Sequence, residues 1–226
     1  MNTSNDYIKK VSEAFNLHKN ETYAVSMKAY MRNKFEYFGI NSPLRKEISK
    51  EFLAKDIIKN IDLKGVVIEL WNLPEREFQY FALELIIKKS KELSFDFFDT
   101  IDVISLNKSW WDTIDVISPK IVPAYFKLYP NEIEKQRERL SNSDNFWQNR
   151  ISILYQLSYK KNTDKKFLFK NCEKHSNSNE FFIQKAIGWA LREYYKTNSI
   201  EVFDFVNKTN LKPLSKREAL KHHKKV

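Results

Sequence analysis

Turn-forming residues are scarce, with only 3 glycines and 6 prolines in 226 residues. An all-β or doubly wound fold needs frequent turns and short β-branched runs. Their scarcity, with apolar residues recurring in broad helix-like stretches, points to an all-α chain. Cysteine is nearly absent: Cys172 stands alone, which excludes an internal disulfide framework and leaves no partners for a thiolate metal site. No internal apolar run reaches the ~20 residues of a membrane span. The opening Met1-Asn2-Thr3-Ser4-Asn5-Asp6 has no basic-then-apolar signal pattern. The expected setting is soluble, reducing and cytoplasmic, with no membrane partner.

Charge is unbalanced toward one sign. Lys and Arg number 39 against 29 Asp and Glu, a formal net charge of +10. Such a surplus favours polyanions, because each cation that neutralises a phosphate releases a counterion. By itself it leaves a nucleic-acid partner and a merely solvated basic surface equally open. The aromatic content of 15% adds little, since most of these rings must be core.

Helix punctuation is dense. Ser42-Pro43 and Ser118-Pro119 read as a capping hydroxyl before a first-turn proline. Asn72-Leu73-Pro74-Glu75 opens another helix, and Ser215-Lys216-Arg217-Glu218 reads as a capping box. About a dozen helices joined by short polar loops are expected, with no stretch resembling a linker, so residues 1–226 read as a single domain. Arg76, Trp111, Phe146 and Phe181 lie 35 apart, each at or just before a helix start. Phe146-Trp147-Gln148-Asn149-Arg150 and Phe181-Phe182-Ile183-Gln184-Lys185 match in residue type at most places. A period near 35 is that of two-helix solenoid units. The expectation is a curved, HEAT-like α-solenoid with a basic concave groove.

Residues one period apart occupy equivalent places on neighbouring helices, and Asp115, Arg150 and Lys185 form such a series. Trp111 lies four residues before Asp115, and Trp189 four after Lys185, so each shares a helix face with its neighbour. Two indoles, one carboxylate and two cations on one strip are not what a core wants. Any single tryptophan reads first as core, and Trp110 and Trp147 are the candidates for that role. An isolated Asp115–Arg150 pair would likewise read as structural. Gly188 beside Trp189 suggests a close backbone approach, because glycine inside a helix costs about 1 kcal/mol relative to alanine.

Here a resemblance enters. Lys108-Ser109-Trp110-Trp111-Asp112-Thr113-Ile114-Asp115, Ser143-Asp144-Asn145-Phe146-Trp147-Gln148-Asn149-Arg150 and the run from Phe181 to Tyr194 resemble marker segments of the AlkD family. Trp71-Asn72-Leu73-Pro74-Glu75-Arg76-Glu77-Phe78, Pro213-Leu214-Ser215-Lys216-Arg217-Glu218-Ala219, Tyr30-Met31 and Phe38-Gly39-Ile40-Asn41-Ser42-Pro43 are similar too. The resemblance covers nearly the whole chain. It implies a HEAT-like repeat fold and a monofunctional alkylpurine-DNA glycosylase. Its catalytic aspartate falls on Asp115, its groove tryptophans on Trp111 and Trp189, and its arginine on Arg150. Tyr30, Asn41, Lys185, Arg192, Lys216 and Arg217 are expected to touch DNA. Asn41 departs from a pattern that commonly has glutamine, and the sequence stops soon after Lys224-Lys225.

The implied substrate explains the residue set. An N3- or N7-alkylated purine is cationic and already a good leaving group, so no acid is required. The cost lies in the oxocarbenium-like sugar, which one carboxylate can stabilise while orienting water. Indole faces attract cations, and Arg150 is expected to hold a flanking phosphate. The expected partner is double-stranded DNA carrying such purines, met by a monomer that uses no metal or other cofactor. The competing expectations are a non-catalytic HEAT-like protein that binds distorted DNA, and a protein-interaction scaffold.

Overall fold

The structure is a computed structural model that describes residues 3–222; Lys224-Lys225 lie outside the described residues. It is helical with no strand among them, as the scarcity of turn residues leads one to expect. In chain order the helices are α1 (Thr3–Leu17), α2 (Glu21–Tyr30), α3 (Ser42–Phe52), α4 (Lys55–Ile58), α5 (Leu63–Asn72), α6 (Arg76–Lys88) and α7 (Phe97–Leu106). They continue with α8 (Trp111–Val116), α9 (Val122–Leu128), α10 (Ile133–Ser141), α11 (Phe146–Leu154), α12 (Lys165–Lys174), α13 (Phe181–Tyr195), α14 (Ser199–Lys208) and α15 (Pro213–Ala219). No described helix is long and apolar enough to cross a membrane. The chain forms two compact units, Met1–Ile104 and Ser105–Val226.

Short amide and carboxylate side chains start these helices. Asn20, Asn41, Asp62, Asn145, Asp164 and Asn198 each accept a hydrogen bond from a first-turn backbone N–H, satisfying donors that the helix itself leaves orphaned. Two expected starts are therefore misplaced. The cap of α3 is Asn41, one residue before Ser42, with Pro43 inside the first turn. At Ser118-Pro119 no helix begins. α8 passes into a wide π-turn, Ile117–Ile121, and then directly into α9. Pro119 has no N–H for the carbonyl four residues back, and the wider turn gives its ring room. Val122 N–H bonds the Ile117 carbonyl five residues back, and Ser118 Oγ donates to Ile114 O at 2.7 Å.

In the first unit an aromatic cluster of Tyr7, Phe15, Phe38, Phe52, Phe78 and Phe81 joins α1, α3 and α6. Glu77, buried at the start of α6, accepts from the backbone N–H groups of Phe38, Gly39 and Ile40 at 3.0–3.2 Å. Burial pushes its carboxyl above the ordinary range, even though these donors favour the charged form. Gly39 sits at φ +88°, and a Cβ there would lie 2.0 Å from the Asn20 carbonyl oxygen. In the second unit α8 packs on α11, α11 on α13 and α13 on α15, while α10, α12 and α14 add a second row. Its core is aliphatic, built around Leu154, Cys172, Ile187, Leu191 and Val202.

A polar device repeats with the period. Gln79 Nε2 lies within 3.0–3.1 Å of the carbonyls of Leu70, Trp71 and Leu73. Two periods later Asn149 Nδ2 reaches the carbonyls of Leu140, Ser141 and Ser143 at 2.8–3.4 Å. One period further Gln184 Nε2 donates to Ser178 O at 3.1 Å. An amide on one helix thus ties down the carbonyls left open where the preceding helix ends. The equivalent position in α8 is Ile114, which cannot donate. Removing one amide orphans buried carbonyls at about 1–3 kcal/mol each. Asn149→Ala is therefore expected to lower stability by about 2–3 kcal/mol, read as a shifted urea midpoint at constant m. The exposed Asn207→Ala control should stay within about 0.5 kcal/mol of the parent.

Candidate functional site

Ring packing sets where the helices of the second unit meet. Trp110, just before α8, is buried with its ring 5.7 Å from Trp147 and 5.2 Å from Phe182, and Trp147 lies 4.9 Å from Phe182. These three rings come from the N-terminal ends of α8, α11 and α13. Trp110 and Trp147 are thus core residues. Trp111 and Trp189 are only half-buried. Trp111 shares a face of α8 with Asp115, and Trp189 packs partly against the aliphatic core.

Asp115 and Arg150, one period apart, are in direct contact. Arg150 Nε donates to Asp115 Oδ1 at 2.8 Å and Nη2 to Oδ2 at 3.0 Å, a two-bond fork. Nη1 donates to the main-chain carbonyl of Phe182 on α13. One guanidinium therefore links α8, α11 and α13. Arg150 is only 4% exposed, which corrects the expectation that it holds a flanking phosphate. Its donors already face the protein, and its work is to fix the carboxylate. Asp115 remains half-buried, and an ionised carboxylate has about four lone-pair positions, so the fork leaves acceptor capacity on the open side.

Lys185 and Arg192 do not simply extend a basic track. Both turn onto Glu218 of α15: Lys185 Nζ lies 2.9 Å from Oε1, and Arg192 Nη1 lies 2.7 Å from Oε2 and 3.0 Å from the Glu218 carbonyl. Hydrogen bonds from Lys185 and then Arg192 pull the Glu218 carboxyl down to about 2. Gly188 lies between the two cations in sequence and makes this possible. A Cβ there would meet Glu218 Cβ at 2.4 Å and Ser215 O at 3.0 Å, so α15 rests on bare backbone, as the helical glycine suggested.

The capping-box reading of Ser215 is corrected at the same place. α15 starts at Pro213 and has no side-chain cap. Ser215 is buried inside it and donates to Gln184 O at 3.0 Å, while Glu218 reaches across to α13 rather than back to Ser215. Proline at the first turn sets the start at Pro213, three residues before the start that a Ser215 cap would give. Lys216 is half-buried and Arg217 exposed, with no ion pair among the described residues.

In the first unit Tyr30 ends α2 with 71% of its surface exposed, and Asn41 uses its side-chain oxygen to cap α3 at 3.1 Å from Leu44 N. Among the described residues no group of three His, Cys, Asp or Glu side chains could hold a metal. Glu218 is the residue that sequence reasoning missed. Its signal was present in the 185/188/192 spacing, which places two cations on one helix face with a glycine between them.

Gly188→Ala drives a methyl into α15 backbone and should cost about 1–3 kcal/mol, with α15 losing amide hydrogen-exchange protection first. Glu218→Gln should loosen α15 at neutral pH without that clash. Because the folded carboxyl is depressed, its stabilisation is present above the ordinary carboxylate range and lost as pH falls through about 2. Parent α15 should therefore stay docked at pH 4, and loss of protection there would contradict the clamp.

The chain matches the family model described as DNA alkylation repair enzyme over residues 11–223. No curated protein matches it. A solved structure, "Predicted DNA alkylation repair enzyme from Enterococcus faecalis", is similar at 31% sequence identity, over 92% of this chain and 98% of that one, with a TM-score of 0.86. The fork, the half-buried tryptophans and the basic composition all lie within the matched residues. The chain belongs to the DNA alkylation repair enzyme family.

Proposed function

We propose that this chain is a monofunctional DNA glycosylase that hydrolyses the N-glycosidic bond of cationic N3- and N7-alkylated purines, such as 3-methyladenine and 7-methylguanine, in double-stranded DNA. The observation that carries the reading is the Arg150 fork, which holds a half-exposed Asp115 carboxylate on the same helix face as Trp111. A purely structural ion pair has no need of an open side or of a neighbouring half-exposed indole.

The chemistry needs little more. As the bond from the sugar to the purine breaks, its electron pair leaves with the base and cancels the base's positive charge. Positive charge then grows on the sugar. Asp115 opposes that charge and accepts a hydrogen bond from the attacking water, whose oxygen joins the anomeric carbon and whose proton passes to the carboxylate or to solvent. Preorganisation is what Arg150 supplies: the carboxylate does not have to reorient as the charge develops. Trp111 and Trp189 offer indole faces to the cation, worth about 0.5–2 kcal/mol each. With Arg150 committed to Asp115, phosphate contacts in this unit fall to Lys216 and Arg217, assisted by the half-exposed Lys185. A strip of side chains also suits a lesion that stays largely stacked, rather than one swung into a pocket.

The test is to incubate the protein with methylated duplex DNA and measure free 3-methyladenine and 7-methylguanine. Asp115→Asn keeps the shape and removes the charge. Base release should fall by about two orders of magnitude or more, with DNA affinity within a few-fold of the parent. Trp111→Ala and Trp189→Ala should slow release less. A thermal melt separates lost chemistry from lost fold. An Asp115→Asn protein that releases 7-methylguanine at the parent rate would remove the carboxylate from the mechanism and require another residue to carry it, while a parent protein that binds duplex but releases no base would favour a non-catalytic DNA-binding role.

A further inference from the structure

A cationic purine carried on a polyanion places opposite demands on the second unit. Residues 1–104 carry as many Asp and Glu as Lys and Arg, so the whole surplus of +10 lies in residues 105–226. That field attracts phosphate. It also repels an N3- or N7-alkylated purine, because like charges at close range disfavour each other. The proposed site can hold such a base only where the local cations are answered.

Beside Trp111 the answer is the fork, in which Asp115 takes Arg150. Trp189 has two cations on its own face of α13, Lys185 four residues before it and Arg192 three after. At those spacings the Cβ atoms lie about 5–6 Å from that of the tryptophan. Glu193, one turn beyond Trp189, is taken by Lys196 at 2.6 Å. The carboxylate that answers for Lys185 and Arg192 is Glu218 of α15, at 2.9 and 2.7 Å. Its side chain is only 14% exposed, so salt screens it weakly. Hydrogen bonds from Lys185 and Arg192 keep it ionised down to about 2, and the counter-charge is therefore present wherever DNA is bound.

We propose that Glu218 balances the charge of the base site: it offsets the cations that flank Trp189, so that a cationic purine meets the indole beside one net positive charge rather than two. The inference rests on the glycosylase reading for its cationic substrate. Glu218 acts through Lys185 and Arg192 and is a positioning residue, not a catalytic one. Its effects on the two parts of the substrate have opposite signs. Some affinity for undamaged phosphate is given up, while the cationic base is not driven off the indole. The docking of α15 does not depend on this carboxylate alone. Ser215 donates to Gln184 O at 3.0 Å, Arg192 Nη1 donates to the Glu218 carbonyl at 3.0 Å, and Gly188 seats the helix. Glu218→Gln thus loosens α15 without releasing it.

The test uses the full chain. Binding to undamaged duplex is followed by fluorescence anisotropy across a sodium chloride series, and release of 7-methylguanine from methylated duplex is timed in single turnover at saturating protein. Glu218→Gln should bind undamaged duplex more tightly, with a slope of log K against log salt steeper by about one. It should release the cationic base about threefold to tenfold more slowly. The double variant Glu218→Gln, Arg192→Gln removes one charge of each sign. It loosens α15 further yet restores the local balance, so its slope should return toward the parent and its release should recover. A Glu218→Gln protein that loses affinity and release together, with the double variant worse in both, shows that Glu218 merely holds α15 and overturns the proposal. Parent slope and parent release in Glu218→Gln overturn it as well. So does a steeper slope with release at the parent rate, since the freed cations then leave the base undisturbed. A parent protein that releases no methylated base defeats the glycosylase reading, and the slopes then still decide whether Glu218 withholds a charge from DNA.

Discussion

The guanidinium of Arg150, carried by α11, donates to two further helices: to both oxygens of Asp115 on α8 and to the carbonyl of Phe182 on α13. A charge this buried costs several kcal/mol unless it is paired. The arrangement of α8, α11 and α13 therefore depends on the carboxylate being where it is. The dependence is mutual. Asp115 gains a fixed orientation and a permanent counter-charge, while its own half-buried position keeps it open to a ligand. The rings of Trp110, Trp147 and Phe182 set the ends of the same helices close enough for the fork to form.

The repeat explains why such a contact can arise at all. Superposed units put equivalent positions next to one another, so a carboxylate and an arginine one period apart meet without any special loop. The amides of Gln79, Asn149 and Gln184 follow the same register and fasten α6, α11 and α13 to carbonyls of the segment that precedes each. α15 is attached differently, through Glu218 and the bare backbone of Gly188. One side of the site is held by a buried fork and the other by a partly solvated clamp.

Much of this was legible in the residues. Helical class follows from missing turn residues, the 35-residue offset announces the Asp115–Arg150 adjacency, and Gly188 announces a close neighbour. What was not legible is depth. Sequence spacing gives the face of a helix but not how far the facing helix covers it, so Arg150 read as a phosphate contact and proved buried. Ser118 and Ser215 misled for a related reason: a serine beside a first-turn signal can cap, or it can bond a carbonyl one turn back or on a packed neighbour, and only packing decides. Glu218 was hidden because its partners lie about 30 residues away, on another helix.

The account turns on the fork as a preorganising device and not merely a source of charge, and Arg150→Lys separates the two. Lysine keeps the positive charge but cannot make two parallel bonds to one carboxylate. The deciding measurement is single-turnover release of 7-methylguanine from methylated duplex at saturating protein, alongside DNA affinity and a thermal melt. The account predicts a folded Arg150→Lys protein that binds DNA within a few-fold of the parent and releases base at least about tenfold more slowly, a transition-state loss of about 1.4 kcal/mol or more. A folded Arg150→Lys protein that releases base at the parent rate would contradict it.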